Sequence, residues 1–163
     1  PRDALGCLLE HKIKISKIHL SSALKVRPTI EACNELKKFA DDVYFHQVVE
    51  CDQNGNRNIY RDLPDALVEK RKAESGKRND VEWRIHFHVP LHAPAAPPLE
   101  TTSDHLLGVL DLLAENPSIC SHLEMETYTW EVLPPELKTQ SVVEQLAAEY
   151  DWTLARLKER GLF

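Results

Sequence analysis

Histidines and an arginine alternate with apolar residues in one short stretch of the chain. The stretch is RIHFHVPLH, residues 84–92, in which Arg84, His86 and His88 occupy every second position. Successive side chains of a β-strand point to opposite faces, so this two-residue period predicts a strand with one apolar face and one titratable face. The titratable face then either meets solvent or contributes to a functional site.

Carboxylates alternate in the same way in a later stretch, HLEMETYTWEVL, residues 122–133, where Glu124 and Glu126 fall on one face. Imidazole and carboxylate groups together suit divalent ions such as Zn, Mn or Mg. Because both stretches read as strands, we expect His88 and Glu126 to meet at the strand ends and to bind a divalent metal. The alternative is that both are hydrogen-bonded, partly solvated side chains that line a cavity.

Further polar residues complete the predicted site. His46 lies in the stretch YFHQVVE, where the register is ambiguous, and we predict the inward orientation, in which it is a metal ligand. We expect Glu126 and His86 to act in catalysis, with His86 and Glu124 lying deeper than the metal. The residues expected to bind substrate are Arg84, Ser21, Tyr128 and Trp130.

The composition argues against several classes of function. The chain has 163 residues, enough for one domain with a sizeable core, and a net charge of −6. This acidic balance argues against nucleic-acid binding, and no apolar run approaches the ~20 residues of a membrane helix. Four widely spaced cysteines without a C-x-x-C pair predict reduced thiols and a cytoplasmic protein. Motifs for nucleotide binding and serine hydrolysis are absent from the sequence.

The elements that must position these side chains alternate along the chain. A leading helix is followed by four strand–helix units. The strands are predicted at 14–24, 43–50, 82–91 and 122–133, and the helices at 3–11, 27–42, 62–75, 104–116 and 142–161. The residues 51–58, with Asn54-Gly55, are predicted to be a loop rather than a tight hairpin. Strands and helices that alternate at this spacing favour βαβ crossovers and a parallel sheet.

Two architectures fit this order of elements. One is a complete open sheet of four strands, and the other is half of a (β/α)8 barrel, a fold of about 250 residues in full. Strands covered by helices on both faces read as near-continuous apolar runs, whereas these strands carry polar faces. We therefore predict that 1–163 is one region, the C-terminal half of a TIM barrel. Its missing N-terminal half, or self-association, would complete the barrel.

Several stretches resemble the C-terminal half of EboE-type metabolite traffic proteins, in the xylose isomerase-like TIM-barrel group. They are KIHLSSALKVRP, FHQVVE, WRIHFHVPLH, TTSDHLLGVLDLL and HLEMETYTWEVLPPEL. The resemblance covers nearly the whole chain and implies that it forms the last four βα units of a barrel. It also implies a divalent metal, with Glu126 as the carboxylate of the last strand and His88 as the histidine of the strand before it.

Together these features predict a metal-dependent isomerase or epimerase that acts on a small polyhydroxylated metabolite. The metal would polarise a carbonyl or hydroxyl group, and a carboxylate would move the proton. One alternative is a non-catalytic component that binds or traffics a metabolite, and another is a metal-dependent hydrolase of the same barrel group. The proline-rich segment 92–100 is predicted to be a mobile lid over the mouth of the barrel.

Overall fold

The computed structural model describes residues 1–40, 44–73, 80–94, 96–126, 135, 138 and 140–163, with the backbone alone at 71–73. The helices are α1 (Arg2–Glu10), α2 (Ile30–Leu36), α3 (Leu63–Ala73), α4 (Ser103–Glu115) and α5 (Val142–Glu159). The strands are β1 (Ile18–Leu20), β2 (Ser22–Val26), β3 (Val48–Asp52), β4 (Arg57–Tyr60), β5 (Val81–Val89), β6 (Leu99–Thr101) and β7 (Leu123–Met125). None of the helices in these ranges is long and apolar enough to span a lipid bilayer.

The main sheet has five strands in the order β4-β3-β5-β2-β6, and all its strand pairs are antiparallel. Strands β1 and β7 form a separate parallel pair. The predicted half of a TIM barrel is therefore wrong, because barrel strands are all parallel neighbours in one sheet. The chain folds as a mixed α/β protein in which antiparallel pairing dominates.

The first reason for this error is a hairpin between β3 and β4. Gly55 has φ +80°, a left-handed conformation that glycine adopts without steric cost. The Asp52 carboxylate accepts hydrogen bonds from the backbone N–H groups of Asn54 at 2.9 Å and Asn56 at 2.8 Å. The chain reverses there, and Val48 comes to lie opposite Tyr60. The Asn54-Gly55 turn was predicted within the loop 51–58, but the pairing of the two flanking segments as a hairpin was not.

The second reason is a break in the chain at Ser21. The predicted strand 14–24 is two strands, because β1 pairs with β7 whereas β2 pairs with β5. Among the described strands, only β1 and β7 pair in parallel, over three residue pairs. The end of the predicted lid is also a strand, since β6 pairs with β2 and buries Leu99. The predicted lid over a barrel mouth is wrong for the same reason as the barrel.

Two apolar cores hold these elements together. The larger core lies on one face of the main sheet, where buried β5 side chains pack with residues of α2 and α3. It includes Trp83, Ile85, Phe87, Leu36 and Leu63. The smaller core joins β1 and β7 to α4 and α5, and it includes Leu20, Leu110, Leu113, Met125 and Trp152.

The opposite face of the main sheet carries the titratable side chains. Burial alternates from Val81 to Phe87 in β5, with the apolar residues buried and Arg84 and His86 exposed. The predicted apolar and titratable faces of this strand are confirmed. The amphipathic helix predicted at 142–161 is also confirmed as α5, which begins with reciprocal capping between Ser141 and Glu144.

Candidate functional site

Strands β1 and β7 present polar side chains on the face opposite the smaller core. Leu20 and Met125 are paired and pack in that core, so the alternate residues His19 and Glu124, which are also paired, fall on the other face. The backbone N–H of Glu126 donates to the carbonyl of Leu20 at 3.3 Å, which continues the pairing for one more residue.

The side chain of Glu126 lies between two histidines. Its Oε2 atom is 3.9 Å from Nδ1 of His88 and 3.8 Å from Nδ1 of His19. The structure thus brings together His88 and Glu126, the two residues at the centre of the predicted site. It does so across two sheets, because β7 pairs with β1 and not with β5. We call His19, His88, Glu124 and Glu126 the histidine–carboxylate cluster.

Glu124 is the more strongly paired carboxylate of this cluster. Its oxygens lie 2.9 Å from Nζ of Lys17, 2.9 Å from Nε2 of His19 and 3.0 Å from Nε2 of His122. Hydrogen bonds from Lys17 and His122 hold the pKa of Glu124 below its ordinary value. His19 therefore contacts both carboxylates, with one ring nitrogen toward each of them.

His88 is the most enclosed member of the cluster, since its side chain is only 9% exposed. Burial lowers the pKa of His88 below 6.5, and nearby His86 adds to that effect, while Glu126 acts in the opposite sense. The imidazole is therefore neutral at pH 7. A neutral ring has one nitrogen that donates a hydrogen bond and one that accepts, so it can bind the oxygen of a substrate without being charged.

An irregularity in β5 sets the position of the two histidines on this strand. Ala23 of β2 pairs with His88 of β5, and the next residue, Leu24, pairs with Ile85. The two residues between Ile85 and His88 therefore have no paired residue in β2. The insertion of two residues keeps the alternation of faces in register. The rings of His86 and His88 lie close on this stretch, with centroids 5.0 Å apart. Bulges of this kind are over-represented beside active sites.

The other predicted residues are placed as follows. His46 is 2% exposed and lies edge-on to Phe87 at 4.8 Å, in the larger core, so the structure does not bring it to His88 and Glu126. Arg84 is exposed, and its Nε donates to Glu82 at 2.8 Å. Ser21 is partly buried at the break between β1 and β2. Tyr128 and Trp130 lie outside the described residues.

The cluster is slightly too open to hold a metal ion as it stands. Two ligands at 2.0–2.2 Å from one ion lie about 2.8–3.6 Å apart. The separations of 3.8 and 3.9 Å around Glu126 Oε2 exceed this range by a few tenths of an ångström. Across the described ranges, no three His, Cys, Asp or Glu side chains are grouped to hold a metal. The contacts of Glu124 with His19 at 2.9 Å and His122 at 3.0 Å fall within this range, but Glu124 is already paired with Lys17.

His19 is the cluster member that the sequence prediction left out of the site. Its signal is weak, because β1 has only three residues and a single alternation of Ile18, His19 and Leu20. The partner of His19 in pairing is Glu124, which lies more than a hundred residues later in the chain. Only the parallel pairing of β1 with β7 reveals that His19 belongs with Glu126.

No protein-family model matches this chain. The comparisons with curated proteins and with solved structures gave no significant match. The resemblance to EboE-type proteins therefore stays a prediction, and the barrel that it implies is contradicted by the sheet.

Proposed function

We propose that the histidine–carboxylate cluster is a proton-transfer site of an isomerase or epimerase that acts on a small polyhydroxylated metabolite. One observation carries this proposal: a single oxygen of Glu126 lies within 4 Å of the ring nitrogens of two histidines. A carboxylate beside two imidazoles supplies a base and hydrogen-bonding partners for the same substrate. The cluster also lies on a partly exposed face, where a substrate can enter.

The chemistry follows from the environment of each group. Glu126 takes a proton from a substrate carbon that lies next to a carbonyl group. Neutral His88 donates a hydrogen bond to that carbonyl oxygen, on which negative charge develops as the proton leaves. His19 contacts both Glu124 and Glu126, so it orients the base and exchanges protons with solvent. Return of this proton to the former carbonyl carbon, with transfer of the adjacent hydroxyl proton to the former carbonyl oxygen, completes an isomerisation. A proton delivered from water to the opposite face of the original carbon completes an epimerisation.

The divalent metal predicted at His88 and Glu126 remains a prediction. If His88, Glu126 and His19 approach each other by a few tenths of an ångström, their nitrogen and oxygen donors suit such an ion. A bound ion would polarise the substrate oxygen. Elemental analysis after dialysis against Zn, Mn or Mg tests this separately from turnover, and we expect His88→Ala and Glu126→Gln to lower the metal content.

Deuterium exchange is the experiment that tests the proposed activity. The protein is incubated in D2O with a panel of aldoses, ketoses and cyclitol ketones, and deuterium that enters carbon is followed by NMR, with and without a divalent metal. We expect exchange with at least one compound and its loss in Glu126→Gln. The matched control is Glu10→Gln, which changes an exposed glutamate at the end of α1. Binding of a compound without any exchange would contradict a catalytic role and favour a metabolite-binding component.

A further inference from the structure

A groove on the open face of the main sheet lies beside the cluster. It has a volume of about 240 Å³. Its lining comes from β2, β3, β5 and the start of α4, and it includes Arg84, His86, His105, Gln47 and Thr102. The lining residues include three that can be cationic and no acid. The groove therefore offers hydrogen-bond donors for an anion on an apolar floor.

Two cations lie directly opposite each other at this groove. Lys25 of β2 pairs with Arg84 of β5, and like charges in directly opposed positions destabilise a sheet. Three carboxylates offset this repulsion: Lys25 Nζ lies 3.0 Å from Asp104 and 3.6 Å from Glu100, and Glu82 accepts a hydrogen bond from Nε of Arg84.

The guanidinium of Arg84 donates one hydrogen bond, from Nε, to Glu82. This leaves the N–H bonds of its two terminal nitrogens for another acceptor. A planar guanidinium with free terminal nitrogens binds phosphate or carboxylate in a bidentate manner. Burial lowers the pKa of His105, the charges of the N-terminal amine and of Arg84 add to this effect, and Asp104 acts against it. The neutral form of the ring is thus favoured, and it offers one hydrogen-bond donor.

His86 is the lining residue that connects the groove to the histidine–carboxylate cluster. Its ring centroid is 5.0 Å from that of His88, and His88 in turn lies 3.9 Å from Glu126. The groove and the cluster are therefore separated by a distance that a metabolite of a few carbon atoms can span.

We propose that this groove binds an anionic group of the substrate, so that the metabolite is a phosphorylated or carboxylated one. This inference rests on the proposed function for its substrate, but the anion site itself can be tested alone. Arg84 and His105 hold the anionic group, and His86 lies between this group and the reacting carbon.

Anion binding is measured by NMR on the isotope-labelled full chain. Inorganic phosphate and sodium acetate are titrated in parallel at constant ionic strength, so that the two arms separate phosphate from carboxylate recognition. We expect saturable shifts at Arg84, His86 and His105 with one of these anions. Loss of a charged hydrogen bond in Arg84→Gln weakens binding about ten- to a hundredfold. Arg57→Gln is the control, since Arg57 is an exposed arginine of β4 outside this groove, and we expect less than a twofold change.

Unchanged affinity in Arg84→Gln, or equal shifts around Arg57, would overturn the anion site. Deuterium exchange with sugars and with sugar phosphates distinguishes this failure from that of the proposed function. If neutral sugars exchange and neither anion binds in the groove, the cluster is catalytic and the inference is wrong. If an anion binds at Arg84 and no compound exchanges, the anion site stands and the proposed activity is wrong. If both hold, Arg84→Gln raises KM for the anionic substrate by a larger factor than KM for a neutral one.

Discussion

The buried carboxyl group of Glu149 in α5 allows a sharp test of how this helix is held. The side chain is 2% exposed, and Oε1 accepts a hydrogen bond from the backbone N–H of Leu91 at 3.2 Å. Its Oε2 atom is buried and has no hydrogen-bond partner among the described atoms. Burial raises the pKa of Glu149 above its ordinary value, although the hydrogen bonds from Leu91 and Gln145 act against this. The carboxyl group thus accepts a hydrogen bond that fixes the backbone at Leu91, while its burial disfavours the charged form.

Glu149→Ala removes the acceptor of the Leu91 N–H and leaves this donor buried without a partner. Such a loss costs about 1–3 kcal/mol in the free energy of unfolding. For a chain of 163 residues this corresponds to a fall in Tm of about 2–12 °C. Glu149→Gln keeps an oxygen for the Leu91 N–H and removes the charge, so at pH 8 we expect it to be at least as stable as the wild type.

The same pair of variants predicts a pH dependence with a definite sign. The pKa of Glu149 is higher in the folded than in the unfolded chain, so the folded state binds more protons between the two values. This contribution to stability is therefore lost as pH rises through that interval. Urea unfolding of wild type and Glu149→Gln from pH 4.5 to pH 8 measures it. If the free energy of unfolding depends on pH equally in wild type and Glu149→Gln, the raised pKa of Glu149 is wrong. If Glu149→Ala is as stable as the wild type at every pH, the hydrogen bond to Leu91 does not stabilise the fold.

Three further predictions address the sheet and the cluster. The indole N–H of buried Trp83 donates to Glu50 at 2.9 Å, and Glu50→Leu removes this acceptor. In urea titrations we expect the free energy of unfolding to fall by about 1–3 kcal/mol in Glu50→Leu, whereas Glu50→Gln keeps most of the stability. Gly55→Ala forces alanine to adopt φ +80°, so we expect the free energy of unfolding to fall by about 1–2 kcal/mol. A Tm equal to that of the wild type would argue against the hairpin turn. His88 should titrate below pH 6.5 in ring NMR spectra. Because the pKa of His88 is lower in the folded than in the unfolded chain, the unfolded chain binds a proton at higher pH. The free energy of unfolding should therefore decrease as pH falls below 6.5, and His88→Gln should not show this decrease.

Strand β5, which carries His88, was predictable because its signal is local. Alternation in β5 depends on neighbouring residues only, and the buried side chains of Trp83, Ile85 and Phe87 follow it. The direction of strand pairing depends on how distant segments meet, and two short features decided it. They are the hairpin at Gly55 and the break at Ser21, each of which spans only a few residues.

The sequence predicted the meeting of His88 and Glu126, but not the residues around them. His88 and Glu126 lie near strand ends, and this placed them together even though the assumed barrel was wrong. His46 was assigned to the wrong neighbourhood because residues 44–47 precede β3, so the alternation of the strand does not extend to it. Its ring fills the core beside Phe87. His19 joins the cluster through the pairing of β1 with β7, which no local pattern indicates.

The most direct test of the central claim compares two glutamates of the same cluster. Glu126 lies between His19 and His88, whereas Glu124 is held by Lys17 and His122. The measurement is the rate at which deuterium from D2O enters the carbon skeleton of the most reactive compound in the panel, in wild type, Glu126→Gln and Glu124→Gln. We expect the exchange rate to fall at least a hundredfold in Glu126→Gln, in the range that general acid–base catalysis contributes, and less than tenfold in Glu124→Gln. An exchange rate in Glu126→Gln equal to that of the wild type would contradict the central claim.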